Sequence, residues 1–304
     1  MELRVLRYFL AVAREGSITG AANSLHLTQP TLSRQIRELE QELGCTLLLR
    51  KNHRVVLTSE GMLLRRRAEE IVAMADKTQA EFSTLENAVA GEIYLGGGET
   101  QAIRPIARIL KELREDYPGI RYHLYSGNAA DVTERLDKGL LDFGILIQPA
   151  DLSKYDFLDL PSKDVWGVLL PKKDPLAKKD AFRREDLRNL PLICSRQAIS
   201  SNQSGNEFAD WFGTDFPALN IVTTFNLVYN AAMLVEAGVG YAITIDKLAD
   251  TGPDSPLCFR PLSPRLESGL NLVWKKYQVF SPAAQLFLER LEQAIQTEQE
   301  ENKA

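Results

Sequence analysis

Apolar residues near the amino terminus recur at helical spacing and predict three short helices. The first is amphipathic, because its apolar residues follow the i, i+3, i+4, i+7 pattern that places them on one face. A second helix is predicted over 18–25, where Ala21 and Ala22 would let another helix approach closely. A third begins after Thr28 and also has one apolar face. The predicted apolar faces are Leu6, Phe9, Leu10 and Ala13 in the first helix, and Leu32, Ile36, Leu39 and Leu43 in the third.

Capping residues and polar positions indicate what these helices do. Ser17 and Thr28 are predicted N-caps, because their hydroxyls can accept hydrogen bonds from the free N–H groups of a first helical turn. At 100° per residue, Arg34 lies opposite the apolar face of the third helix. An arginine there can form a bidentate pair with a guanine edge, so the pattern predicts a helix-turn-helix that reads the major groove. The candidate DNA-binding residues of this helix are Gln29, Pro30, Thr31, Ser33, Arg34 and Arg37.

Two short apolar runs, 47–49 and 55–57, flank a basic turn and predict a β-wing. Arg50, Lys51 and Arg54 would lie at its tip, where cations can contact phosphates or the minor groove. Arg50 and Arg54 therefore join the candidate DNA-binding residues. A charged helix face is often merely solvated, but the caps, the small second helix and the wing together favour DNA binding.

A long helical pattern runs from Thr58 without a glycine between Gly61 and Gly91. Its seam positions alternate spacings of four and three, and such a heptad repeat predicts pairing with another helix. One amphipathic helix packed on its own chain is the alternative, but its pattern would drift toward a period of 3.6. We therefore expect a dimer through this helix. The seam positions are Leu64, Ala68, Ile71, Ala75, Thr78, Phe82, Leu85 and Val89.

Beyond Gly91, strand-like and helical segments alternate, which is typical of parallel βαβ units. The polar tail from Thr297 is expected to fray. The predicted strands are 93–95, 120–125, 143–147, 166–170, 192–194, 221–224, 241–245 and 270–274, and the predicted helices are 104–115, 132–138, 206–212, 227–237 and 283–294.

Composition and charge refine this interpretation. A chain of 304 residues is expected to form more than one domain. The net charge of −5 argues against nucleic-acid binding, but residues 1–67 carry eleven Lys and Arg against six Asp and Glu. A basic head on an acidic body suits a protein that contacts phosphate through one end only. The dispersed cysteines and histidines predict neither a metal nor a cofactor. Without a membrane-length apolar run or a secretory leader, the protein is expected to be cytoplasmic and away from membranes.

Residues 21–40, AANSLHLTQPTLSRQIRELE, resemble the DNA-binding signature of LysR-type transcriptional regulators. The stretch LTSEG at 57–61 also fits the family pattern, although Leu48 stands where the family more often has Phe. Further landmarks of the family fit at 117–120, 136–142, 174–177 and 235–243, whereas Ile245-Asp246 stands where a proline is common.

The resemblance implies an α/β protein with an N-terminal winged helix-turn-helix, a long linker helix and a two-lobed, periplasmic-binding-protein-like effector domain. The expected boundaries are 1–58 for the DNA-binding domain, 59–90 for the linker or dimerisation helix and 91–304 for the effector domain. Lobe one would combine 91–162 with 266–304, and lobe two would be 163–265. The implied partners are a double-stranded DNA operator, a small-molecule effector, a second copy in a dimer or dimer of dimers, and RNA polymerase.

Three polar loops that follow predicted strands, 96–101, 126–128 and 194–201, indicate a sensing site. Their hydroxyls and backbone N–H groups suit a small anion such as a carboxylate, and Arg196 could supply the counter-charge. The triple glycine lacks the Lys-Ser/Thr of a phosphate-binding loop, so a nucleotide is disfavoured. Any of these polar residues could also be an ordinary turn residue. The candidate effector-binding residues are Thr100, Gln101, Asn128, Gln148, Arg196, Ser200, Asn226 and Thr244.

Three classes of function compete. The lack of a secretory leader and the basic wing argue against a solute-binding protein, and no nucleophile, histidine and carboxylate are grouped as in an enzyme. The sequence favours a sequence-specific DNA-binding transcriptional regulator whose operator binding is modulated by a small-molecule effector. The alternative is a cytoplasmic small-molecule-binding protein without a regulatory role.

Overall fold

The computed structural model describes residues 1–51, 54–83, 90–199 and 206–301. The chain divides into two compact units, Met1–Leu85 and Glu86–Ala304, and each unit has a hydrophobic core of its own. Across the described part of the chain, every helix is too short or too polar to cross a bilayer.

The amino-terminal unit begins with three helices, and both predicted caps are confirmed. Ser17 Oγ accepts a hydrogen bond from the Gly20 N–H at 3.2 Å, and Thr28 Oγ1 accepts one from the Thr31 N–H at 3.4 Å. These bonds satisfy N–H groups that have no partner within the helix. The helices are α1 (Leu3–Glu15), α2 (Ile18–Ser24) and α3 (Gln29–Leu43).

The predicted apolar faces of these helices need two corrections. In α1 the buried face is formed by Val5, Leu6, Phe9, Ala11 and Val12, whereas Leu10 and Ala13 are half-buried. In α3 the face formed by Leu32, Ile36 and Leu39 is buried, but Leu43 is exposed because the helix ends there. Ala21 and Ala22 of α2 are buried in the same core, as their small size predicts.

A two-stranded antiparallel wing and a long helix complete this unit. The strands β1 (Leu48–Lys51) and β2 (Arg54–Leu57) pair with Leu48 opposite Leu57. The helix α4 (Ser59–Ser83) follows directly and packs against α1. Gly61 lets the first turn of α4 lie close to the start of the wing, because a Cβ atom there would lie 2.2 Å from the Leu47 carbonyl oxygen. The predicted seam positions Leu85 and Val89 lie outside the described residues.

The carboxy-terminal unit is built on one mixed sheet with the strand order β4-β3-β5-β11-β6-β9-β7-β8, and β10 pairs with β6. The predicted parallel units are present within it: β3 lies parallel to β4 and β5, and β7 lies parallel to β8 and β9. The remaining pairs, which involve β6, β10 and β11, are antiparallel. The strands are β3 (Gly91–Gly97), β4 (Ile120–Ser126), β5 (Phe143–Ile147), β6 (Tyr155–Pro171), β7 (Leu192–Ser195), β8 (Ile221–Phe225), β9 (Tyr241–Ile245), β10 (Leu257–Pro261) and β11 (Glu267–Lys275).

Helices cover this sheet, and two separate hydrophobic cores define two lobes. The first lobe comprises β3, β4 and β5 with α5, α6 and α10, and the second comprises β7 to β10 with α7, α8 and α9. The long strand β6 runs through both lobes, pairing first with β11 and then with β9 and β10. The helices are α5 (Ile103–Asp116), α6 (Ala129–Asp137), α7 (Arg184–Leu187), α8 (Glu207–Phe212), α9 (Val228–Glu236) and α10 (Pro282–Glu301).

Two predictions for this unit were clearly wrong in extent, and one strand was missed. The strand expected from Trp166 already begins at Tyr155, because its polar first half finds a partner strand in β11. The strand β10 was not predicted. The chain does not fray at Thr297: α10 continues to Glu301, Ile295 is buried, and the Thr297 hydroxyl donates to the Gln293 carbonyl at 3.0 Å.

Candidate functional site

The outer face of α3 forms the first candidate site. The described side chains of Gln29, Pro30, Thr31, Arg34 and Arg37 are exposed on it, opposite the buried core face. The Arg34 side chain is 68% exposed and lies 3.6 Å from the Glu38 carboxylate, one helical turn away. Such an exposed i, i+4 pair is weak, so it can exchange for another acceptor.

Ser33 differs from the other candidates on α3. Its side chain is 6% exposed and lies on the core side of the helix. Its carbonyl oxygen accepts a hydrogen bond from Arg37 Nε at 3.2 Å, which orients that guanidinium along the helix. The structure thus places Ser33 beneath the exposed face rather than on it.

Backbone hydrogen bonds at the start of β1 and within β2 hold the wing to the helical part of this unit. Glu40 Oε1 accepts from the backbone N–H groups of Leu47 and Leu48, at 2.8 and 3.1 Å, and so ties the start of β1 to α3. The Val55 N–H donates to the Gly16 carbonyl at 2.8 Å. Arg54 is exposed at the start of β2, whereas the Arg50 side chain lies outside the described part of the structure. Sequence reasoning missed Glu40, whose only signal was its place within the family signature.

The second candidate site is a cavity of about 70 Å³ between the two lobes of the carboxy-terminal unit. Of the predicted effector-binding residues, Asn128, Gln148, Asn226 and Thr244 line it. Thr100, Gln101 and Arg196 are not among the lining residues, and Ser200 lies outside the described residues. Aromatic side chains form part of the wall, and the Trp166 indole is fixed because its Nε1 donates to Ser268 Oγ at 2.9 Å. The aromatic lining residues are Trp166, Phe208 and Phe225.

The side-chain amides of Asn128 and Gln148, two of the predicted effector-binding residues, also form hydrogen bonds within the protein. Asn128 is the N-cap of α6, where its Oδ1 accepts from the Asp131 N–H at 3.1 Å. Gln148 Nε2 donates to Asn271 Oδ1, and Gln148 Oε1 accepts from the Ala150 N–H at 2.8 Å. Both amides are therefore held in fixed orientations at the cavity wall.

Thr100 lies in a buried pair with Asp164, a residue of β6. The Thr100 hydroxyl and the Gln101 backbone N–H donate to the Asp164 carboxylate, which is 2% exposed. Burial nevertheless raises the pKa of Asp164, because desolvation outweighs these two hydrogen bonds. Within the described residues its buried Oδ2 atom has no hydrogen-bond partner. Thr100 therefore supports a buried carboxylate rather than the cavity wall.

The Arg196 side chain is exposed, so the counter-charge expected from it does not lie at the cavity. Its backbone N–H donates to the Phe225 carbonyl at 2.8 Å, which places the residue directly after the end of β7. The predicted loop does supply Ser195, Gln197 and Ala198 to the cavity wall, but Arg196 is not among the lining residues.

Two residues of the cavity, one from each lobe, form hydrogen bonds to the opposite lobe. Sequence reasoning selected neither of them. The Glu99 carboxylate, from the first lobe, accepts a hydrogen bond from the N–H of Val228, the first residue of α9. Gln197 Oε1, from the second lobe, accepts one at 3.2 Å from the N–H of Ala129, the first residue of α6. Both residues lie in the predicted polar loops, but a carboxylate did not fit the anion site expected there.

The comparisons with known proteins match both units. Residues 3–62 match the family described as "Bacterial regulatory helix-turn-helix protein, lysR family", and residues 86–296 match the LysR substrate binding domain. The chain therefore belongs to the LysR family of transcriptional regulators, as its signature predicts. Both the predicted fold class and a DNA-binding regulator with an effector-binding domain are confirmed.

Relatives and solved structures extend over nearly the whole chain. The Hca operon transcriptional activator HcaR of Escherichia coli is 29% identical over 95% of this chain and 96% of its own length. The transcriptional activator CmpR of Synechocystis is also 29% identical, over 95% and 94%. The crystal structure of full-length CbnR complexed with its target DNA superposes with a TM-score of 0.74, covering 97% of this chain and all of that one at 21% identity. That likeness shows the shared fold.

Proposed function

We propose that the protein binds a specific DNA operator through α3 and the wing, and that a small molecule in the inter-lobe cavity changes its operator affinity. The observation that carries the proposal is α3 itself. One face is buried in the core, and the opposite face presents Arg34 and Arg37 beside an N-terminus capped by Thr28. The names of HcaR and CmpR as activators, and the DNA bound in the CbnR structure, support it.

Within this proposal the cations have two roles. Arg34 reads a base edge in the major groove, with Gln29, Pro30, Thr31 and Arg37 around it. Arg50 and Arg54 contact the backbone or the minor groove from the wing, and Ser33 orients the helix from its buried side. General principles of DNA recognition support this division, because a helix fits the major groove and an exposed wing can reach the flanking phosphates.

The remaining assignments complete the proposed regulator. We assign 1–58 to DNA binding, 59–90 to dimerisation and 91–304 to effector binding, with lobe one formed by 91–162 and 266–304 and lobe two by 163–265. The protein acts as a dimer or as a dimer of dimers, contacts RNA polymerase, and catalyses no reaction. Because its target is the chromosome, we place it in the cytoplasm.

A selection from random double-stranded DNA, followed by titration of the recovered sequence, tests this function. We expect a sequence with two related half-sites, bound roughly 10³-fold or more tightly than random DNA at the same salt concentration. A thermal-shift screen of small molecules, followed by repeated operator titration with each hit, then tests modulation. If no preferred sequence is recovered, the proposal of sequence-specific operator binding is rejected. A preferred sequence that no cavity ligand affects would reject the modulation.

A further inference from the structure

The inter-lobe cavity has an unusual balance of charge for a site expected to bind a carboxylate. Among the described lining residues the only ionisable side chain is Glu99, and no lysine, arginine or histidine is present. Residues 200–205, which are not described, read SSNQSG and so cannot add a charged side chain. The other polar lining groups include the carboxamides of Asn128, Gln148, Gln197, Asn226 and Asn206.

The positions that an anion would favour already have acceptors from the protein. A helix N-terminus attracts negative charge because its first N–H groups have no partner within the helix. At α9 the first N–H, that of Val228, donates to the Glu99 carboxylate, and at α6 the first N–H, that of Ala129, donates to Gln197 Oε1. Asn128 satisfies a further N–H of α6, that of Asp131. A carboxylate ligand would therefore compete with these acceptors and be repelled by Glu99.

We propose that the effector is a small molecule that presents hydrogen-bond donors, above all a cationic amine or amidine, and that Glu99 selects it. The inference rests on the proposed function, because it concerns the effector cavity of that regulator. The ligand's cationic end pairs with the Glu99 carboxylate, and its other donors meet the carboxamide oxygens of the wall. Its apolar part contacts the aromatic wall formed by Trp166, Phe208 and Phe225. This replaces the carboxylate that the loop residues alone indicated.

Three probes of the same shape separate charge from fit: propionate, propionamide and propionamidine. Their dissociation constants are measured by saturation-transfer NMR on the full-length protein at constant ionic strength. The wild type is expected to bind the amidine roughly tenfold or more tightly than propionate, because the Glu99 carboxylate forms a charge-assisted hydrogen bond with the cation and repels the anion. The neutral amide is expected to lie between them.

The variant Glu99→Gln is expected to lose most of the preference for the amidine and to bind propionate more tightly than the wild type does. Glu112→Gln is the matched control, because it removes the same charge from an exposed position on α5 and should keep the wild-type order. Thermal melting of each variant shows whether it is folded. The ranking of the three probes by affinity for the wild type tests the proposal even if Glu99→Gln does not fold.

Three results would overturn the proposal: a wild type that binds propionate at least as tightly as the amidine, an unchanged order in folded Glu99→Gln, or no millimolar binding of any probe. Operator titration of the same wild-type preparation keeps this failure distinct from failure of the proposed function. A wrong order with intact operator specificity rejects only the ligand class, whereas loss of specificity rejects the operator-binding proposal.

Discussion

Asp164 shows how strongly packing acts on a single residue of this protein. Because burial raises its pKa, the folded state holds this proton more tightly than the unfolded state does. Its contribution to stability is therefore fully present below the unfolded pKa of about 4 and is lost as the pH rises through the raised folded value. At neutral pH the ionised carboxylate is a cost to folding.

We predict that Asp164→Asn raises the melting temperature at pH 7.5 and flattens its fall between acidic and neutral pH. The amide keeps the shape of the side chain and removes the buried charge. Differential scanning calorimetry across this pH range measures both effects. Asp156→Asn, at an exposed position on the same strand, is the control and should leave the pH profile unchanged. A lower melting temperature at pH 7.5 would show instead that Thr100 and Gln101 need an ionised acceptor.

The substitutions Arg34→Ala and Arg54→Ala are predicted to affect DNA binding in different ways. Arg34→Ala should weaken operator binding by about 1–3 kcal/mol, because a base contact is lost. It should therefore also reduce the difference in affinity between the operator and random DNA. Arg54→Ala should weaken binding to all sequences more evenly and reduce the salt dependence, because a phosphate contact is lost. Titrations at several salt concentrations measure both, and Arg188→Ala, in the other compact unit, is the charge-matched control. Equal losses of specificity would contradict the division of roles.

Single residues were predictable where a short stretch of sequence determines their surroundings. The caps Ser17 and Thr28 and the exposure of Arg34 follow from positions within one helix. Thr100 and Arg196 were placed less well, because the direction of a loop side chain depends on strands that are distant in sequence. The Glu99 contact with Val228 spans 129 positions, and local spacing carries no information about it.

At the scale of elements, α4 presents apolar residues that the described residues of its own compact unit leave exposed. Ala68 is buried against the amino-terminal core, but Ile71 is 42% exposed and Phe82 is 69% exposed. Both belong to the predicted heptad seam, so a second helix would bury them. The exposed fraction of these two side chains supports the proposed dimer.

We predict that Phe82→Glu yields a smaller species in sedimentation, because an unpaired charge in a buried seam is expensive to desolvate. Gln79→Glu is the matched control, since it adds the same charge at an exposed position of α4 outside the seam. It should leave the assembly unchanged. An unchanged assembly in Phe82→Glu, with tight operator binding retained, would argue that this seam is not the interface.

The type and order of the elements were largely predictable, whereas two strands depended on their partners. The strand β9 matches its predicted range of 241–245, because four of its five residues are apolar. Residues 155–165 contain several charged positions that obscure a strand, and β10 also lacks a clear pattern of its own. Both are completed by antiparallel pairing, β6 with β11 and β10 with β6, which supplies backbone partners that local sequence does not reveal.

At the scale of the whole molecule, charge and connectivity assign different tasks to different parts of the chain. Residues 1–67 are basic, while residues 68–304 carry twenty-five Lys and Arg against thirty-five Asp and Glu. An acidic protein can therefore still bind DNA through one end. In the carboxy-terminal unit the lobes are linked by side chains as well as by strands: Gln101 Nε2 donates to the Lys247 carbonyl at 3.0 Å, in addition to the Glu99 and Gln197 bonds.

Each of these links is a single hydrogen bond between lobes that have separate hydrophobic cores, so we expect it to break without disrupting either core. If an effector acts by favouring one inter-lobe geometry, weakening a link should shift the same equilibrium without any effector. Gln197 is suited to this test, since it bonds the first N–H of α6 and its Nε2 lies 3.5 Å from the Ile147 carbonyl. It is also outside the DNA-binding unit.

We predict that Gln197→Ala changes the effector-free operator affinity by up to roughly tenfold, because one neutral hydrogen bond contributes about 0.5–1.5 kcal/mol. Ser281→Ala is the matched control. Its hydroxyl accepts from the Ala284 N–H at 3.2 Å at the start of α10, so this variant also loses a helix-terminal hydrogen bond, but none between the lobes. Operator titration at fixed salt should leave Ser281→Ala at the wild-type affinity. Folded Gln197→Ala with wild-type operator affinity would show that the lobe arrangement is not coupled to DNA binding.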